Sequence, residues 1–96
     1  MIRTINGKDY TFKITRKGIR EAENHGFRMD EMEGKPLTML YSLWYAALYA
    51  NHPMTAKKSD DLLDEYLDSP DCTETMFDVL ESLTTEFQEF LGVAVE

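Results

Sequence analysis

Residues 36–54 are nineteen consecutive positions without a charged side chain in a chain of 96. Pro36 suits the first turn of a helix, where its missing N–H leaves nothing unsatisfied. Asn51-His52-Pro53 breaks a helix, so one is expected over residues 36–50. Leu37, Leu40, Leu43, Trp44, Ala47 and Leu48 make one apolar stripe along it. Tyr41, Tyr45 and Tyr49, spaced by four, make a second beside it. A helix apolar on most sides is either the centre of a core or a surface that meets another chain. It does not read as a membrane span. Thr38, Ser42, Asn51, His52 and Pro53 interrupt the run, and its apolar part falls short of the roughly 20 residues a span needs.

The remaining elements have to wrap that helix. Asn6-Gly7 is a strong hairpin signal, because both central residues of a type I′ turn take positive φ. A two-residue loop there sets Ile5 opposite Lys8, Arg3 opposite Tyr10 and Met1 opposite Phe12. Period two then puts Met1, Ile5, Tyr10, Phe12 and Ile14 on one apolar side, and Ile2, Thr4, Asp9, Thr11 and Lys13 on the other. Thr15 fits the N-cap of a first helix ending at His25, with Gly26 in the left-handed position beyond it. Phe27 is then free to fold back towards Ala22. Gly18 weakens this helix by about 1 kcal/mol relative to Ala. Residues 28–35 read as a loop. A third helix begins at Thr55 or Ser59, with Leu62, Leu63, Tyr66 and Leu67 inward, and Ser69-Pro70 ends it. Asp71 with Glu74 has the spacing of a capping box. In the fourth helix, which runs to Leu91 before Gly92, Met76, Leu80, Leu83, Phe87 and Phe90 recur at steps of four and three. Phe77 and Leu91 widen that stripe. The expected fold is mainly α: one domain over 1–96, with a β-hairpin at 1–14 and about four helices in a small bundle at 15–96.

Charge divides the chain in two. Residues 1–58 hold ten basic and six acidic side chains, a balance of +4, and residues 59–96 hold twelve acidic and no basic ones, a balance of −12. The acidic half repels nucleic-acid phosphates. The small basic cluster Arg16, Lys17 and Arg20 lacks aromatic interleaving, so no nucleic-acid partner is expected. The asymmetry keeps the chain soluble and also suits docking on a basic partner, or head to tail on a second copy. Cys72 is the only cysteine, which excludes an internal disulfide and the paired spacings of zinc sites. The N-terminus has no apolar h-region, so a cytoplasmic location is expected.

The motifs of common enzyme classes are missing: GxSxG, the P-loop, GxGxxG and HExxH do not occur. His25, His52 and Cys72 have no metal-ligand spacing. The acidic stretch 60–71 lacks the glycine an EF-hand loop needs at its sixth position. No enzyme, metal or cofactor is expected, which leaves binding. Aromatic side chains dominate interface hot spots. The candidate surface is therefore Tyr41, Trp44, Tyr45, Leu48 and Tyr49, with Phe87 and Phe90 from the fourth-helix stripe. The competing reading places these same rings in the core, where a domain this small needs its large side chains.

The segments INGKDYTFKITRKGIREAENHGF, KPLTMLYSLWYAALYANHP and TAKKSDDLLDEYLD, taken in order, resemble the small tail assembly chaperones of long-tailed bacteriophages and prophages. The resemblance covers nearly the whole chain and rests on order, length and wording, above all residues 40–49 before Asn51-His52-Pro53. It implies a role for the chain, as the short, non-frameshifted form. Such proteins coat the long apolar tape measure protein, keep it soluble and help recruit tail tube subunits, and are absent from the finished virion. It implies no catalytic residues. The alternative expectation is a small acidic regulatory or inhibitory binding module, mimicking DNA through its acidic half.

Overall fold

The computed structural model describes residues 1–92; the last four positions of the expected 15–96 bundle lie outside the described residues. Strands β1 (Ile2–Ile5) and β2 (Lys8–Thr11) form an antiparallel hairpin, followed by helices α1 (Arg16–Asn24), α2 (Pro36–Tyr49), α3 (Ala56–Asp68) and α4 (Met76–Leu91). The expected hairpin register is the observed one, with Ile5 paired to Lys8 and Arg3 to Tyr10. Asn6 and Gly7 both take positive φ, 52° and 78°, as a type I′ turn requires. Residues 28–35, read as a plain loop, contain a short 3-10 turn at Met29–Glu31.

Helix α2 is the centre. Helices α1, α3 and α4 each pack against it, which resolves the two readings of its apolar surface in favour of the core. Trp44, Leu43 and Leu48 are fully buried. Helix α1 comes close because Gly18 and Ala22 are small. A Cβ on Gly18 would lie 2.3 Å from the carbonyl oxygen of Ala46. The glycine that weakens α1 as an isolated helix therefore sets how near it sits to α2. The open end of the hairpin is tied down by two hydrogen bonds to the end of α2 and the residues just after it. Lys13 donates its backbone N–H to the Ala47 carbonyl at 2.8 Å, satisfying one of the acceptors that the last turn of α2 leaves open. Thr11 donates to Nε2 of His52 at 3.0 Å.

Three sequence expectations change in detail. Arg3 shares the buried side of the hairpin and is only 7% exposed. The capping box of α4 is Thr75 with Asp78: each side chain accepts from the other's backbone N–H, at 3.1 and 2.9 Å. Glu74, expected as half of that box, is instead the partner of Arg3. The buried residues of α4 are Val79, Leu83 and Phe87, while Met76 and Phe90 at the ends of the expected stripe are exposed.

Candidate partner-binding surface

The residues proposed from sequence as a binding surface fall into three places. Trp44, Tyr45, Leu48 and Phe87 belong to the core, with 0 to 4% of their surface exposed; no partner reaches Trp44, Leu48 or Phe87 without unfolding the domain, and Tyr45 meets the surface only where it lines a pocket. Trp44 packs against Phe12 at 4.6 Å and stacks on Tyr66 at 5.7 Å between ring centroids. Phe87 meets Phe27 edge-on at 5.6 Å. Tyr41 and Tyr49 are half-buried at the margins. Phe90 alone of the seven is exposed, and it stacks on Phe87. A single aromatic groove joining Tyr41 and Tyr45 to α4 does not exist. The two tyrosines face α1 and α3, where they line a separate pocket with His25 and Asp60.

What α2 and α4 do form together is an apolar groove between their first turns. Pro36, Leu37 and Leu40 line it from α2, and Met76, Phe77 and Leu80 from α4, around a cavity of about 260 Å³ without a polar lining atom. Leu37 is 51% exposed and Phe77 70%. Large apolar side chains exposed side by side mark an interaction site more often than an isolated one does. The local sequence explains the placement. Pro36 starts α2 and Thr75 caps α4, so the groove residues occupy the first and second turns of both helices. By sequence, Phe77 only widens the α4 stripe. The usable signal was that consecutive helical positions lie about 100° apart, so Met76 and Phe77 cannot both share the inward face of Val79 and Leu83.

An ion pair between buried Arg3 and half-buried Glu74 holds the chain just before α4. Nε and Nη2 of Arg3 donate to the two carboxylate oxygens of Glu74, at 2.8 and 3.3 Å. The hydroxyl of Tyr66 donates to the same carboxylate. The guanidinium also lies over the rings of Phe12, Trp44 and Tyr66, at 5.1, 5.9 and 6.0 Å from their centroids. Hydrogen bonding from Arg3 holds the Glu74 carboxyl below the usual carboxylate range, against the opposing effect of burial. Burial and the bond to Glu74 push the Tyr66 phenol up. This cluster fixes the segment that presents Met76 and Phe77. Beside it, Asp78, Glu81 and Glu89 line an acidic trough along α4. The groove thus has an apolar floor and an acidic flank.

Among known families, the one designated DUF5055, a domain of unknown function, matches residues 1–91. The chain belongs to that family. No curated protein and no solved structure matches it. The DUF5055 match spans every element from the hairpin to α4, so the groove and the Arg3–Glu74 pair both lie inside the family's extent. No group of three or more His, Cys, Asp or Glu side chains that could hold a metal occurs among the described residues. No described helix is long and apolar enough to cross a membrane.

Proposed function

We propose that this DUF5055 chain is a tail assembly chaperone of a long-tailed bacteriophage or prophage, acting in the bacterial cytoplasm. In this reading it holds an amphipathic helix of the tape measure protein in the α2–α4 groove until tail tube subunits arrive. The groove is the observation that carries the proposal. It exposes Leu37, Met76 and Phe77, while the other large aliphatic side chains of α2 are buried against its own neighbours. A helix laid in such a groove anchors through apolar side chains spaced three and four apart. The acidic trough alongside favours a client whose apolar stripe is bordered by Lys or Arg. The resemblance in residues 5–68 supplies the identity of the client, and the groove supplies its place.

The test is co-expression of the full chain with a tape measure fragment, measuring the fragment's soluble fraction. Leu37→Asp with Phe77→Asp should weaken the complex by more than about tenfold, since each truncated anchor costs roughly 1 kcal/mol or more. Circular dichroism should remain that of the folded domain, because both side chains already face water. A folded double variant that solubilises the fragment as well as the parent sinks the groove assignment. Failure of the parent to solubilise any tape measure fragment sinks the chaperone reading itself. If a basic DNA-processing protein were bound instead, and released by raised salt, the acidic regulatory reading would take its place.

A further inference from the structure

A second depression lies on the opposite flank of α2, and the chaperone proposal does not use it. It encloses about 280 Å³ between the end of α1, the middle of α2 and the start of α3. Its lining includes His25, Thr38, Tyr41, Ser42, Tyr45 and Asp60. The volume suits the end of one side chain more than a drug-sized ligand. Three features of its walls point to the chemistry of an occupant. Asp60 is half-buried and forms no ion pair among the described residues; the nearby Lys57 is bonded to Asp61, at 3.2 Å. Tyr45 is 96% buried, and its hydroxyl bonds to no described residue. The Tyr41 hydroxyl, by contrast, is bonded to Asp64, which holds that ring in place. Glu21 and Asp64 add negative charge at the margins, next to Tyr45 and Asp60 respectively. A carboxylate without a counter-ion, beside two aromatic rings and several hydroxyls, is the environment that receives an ammonium or guanidinium group.

We propose that this pocket binds an organic cation, the end of a Lys or Arg side chain or a free alkylamine, with Asp60 as counter-ion and Tyr41 and Tyr45 as aromatic walls. Burial raises the Asp60 carboxyl above its ordinary range, an effect a bound cation would reverse. The proposal rests on the pocket alone and stands whether or not the client is a tape measure protein.

Nuclear magnetic resonance titration of the full chain tests it, following the Tyr41, Tyr45 and His25 ring signals. The probes are butylammonium, a short Lys-containing peptide, and the same peptide with norleucine in place of Lys. Saturable shifts are expected with the first two and none with the third. Asp60→Asn should weaken binding at least about fivefold, the value of one partly exposed charge pair. Asp61→Asn should leave it unchanged. Tyr45→Phe, which keeps the packing and removes the hydroxyl, should weaken it by a smaller factor. A peptide that binds more tightly than butylammonium assigns the site to a protein side chain; equal binding assigns it to a free amine. Shifts that persist with norleucine, or an Asp60→Asn effect matched by Asp61→Asn, would overturn the proposal.

Discussion

Helix α2 buries eight of its fourteen residues, whereas α4 buries three of its sixteen. Both are rich in large apolar side chains, so composition alone does not account for the contrast. Position in the bundle does. Helix α2 has α1, α3 and α4 around it, while α4 packs chiefly on α2. A helix with neighbours on three sides can be apolar nearly all round. A helix with one neighbour hides a stripe, and any apolar residue outside that stripe faces water. On α4 these are Met76, Phe77, Phe90 and Leu91. On α2 only Leu37 escapes cover in the same way, in the first turn beside Phe77. The contrast separates side chains that stabilise the fold from side chains left available for binding.

The widest separation should appear between Trp44 and Phe77. Trp44→Ala removes a fully buried indole packed on Phe12 and Tyr66, and should cost about 3–5 kcal/mol in denaturant unfolding. Phe77→Ala, the same kind of truncation on α4, should change stability by less than about 0.5 kcal/mol. A loss above about 2 kcal/mol for Phe77→Ala would show that its ring is covered within the domain and would erase the contrast.

Next in size is the ion pair that joins the hairpin to the start of α4. Glu74→Gln leaves the Arg3 guanidinium buried without its carboxylate, and should cost about 3 kcal/mol. The pH dependence follows from the depressed Glu74 carboxyl. Because its folded pKa lies below the unfolded value of about 4.3, the stabilisation is complete above that pH. It is lost as pH falls through the folded pKa. The difference between parent and Glu74→Gln in urea midpoints should therefore be constant near neutrality and shrink in acid. A difference that grew in acid would mean the Arg3–Glu74 pair is not its source.

The backbone plan was legible because its signals are local. Asn6-Gly7 specifies the turn, Thr15 and Gly26 bracket α1, and Pro36 opens α2. Each acts within a few residues of itself, and the hairpin register follows from the turn by counting. The exposed apolar surface was not legible, because exposure is a property of neighbours. Tyr45 and Phe77 are both large aromatic residues on helices. Whether each is covered depends on where α1 and α3 lie relative to α4. Arg3 shows the same limit from the other side. The sequence reading assigns it to neither side of the hairpin, and only the fold brings Glu74, seventy-one positions later, within 2.8 Å of it. Gly18 reads as a helix weakness until Ala46 is seen against it.

An effect on stability smaller than that of Glu74→Gln falls where the two regions meet. Thr75 is not apolar and does not line the groove, yet its side chain accepts from the Asp78 N–H and so closes the first turn of α4. Thr75→Ala should cost about 1 kcal/mol, the usual value of an N-cap. Its effect should be uneven. Hydrogen exchange ought to speed up at the amides of Asp78 and Val79, which are bonded to Thr75, and leave those of Leu43 and Ala47 within α2 at the parental rate. Local fraying of this kind would loosen Met76 and Phe77 without disturbing the core, so client binding should fall by more than stability does. Uniformly faster exchange through both helices would instead mean that α4 and α2 open together, and that the exposed end of α4 is as much a part of the core's cooperative unit as Trp44.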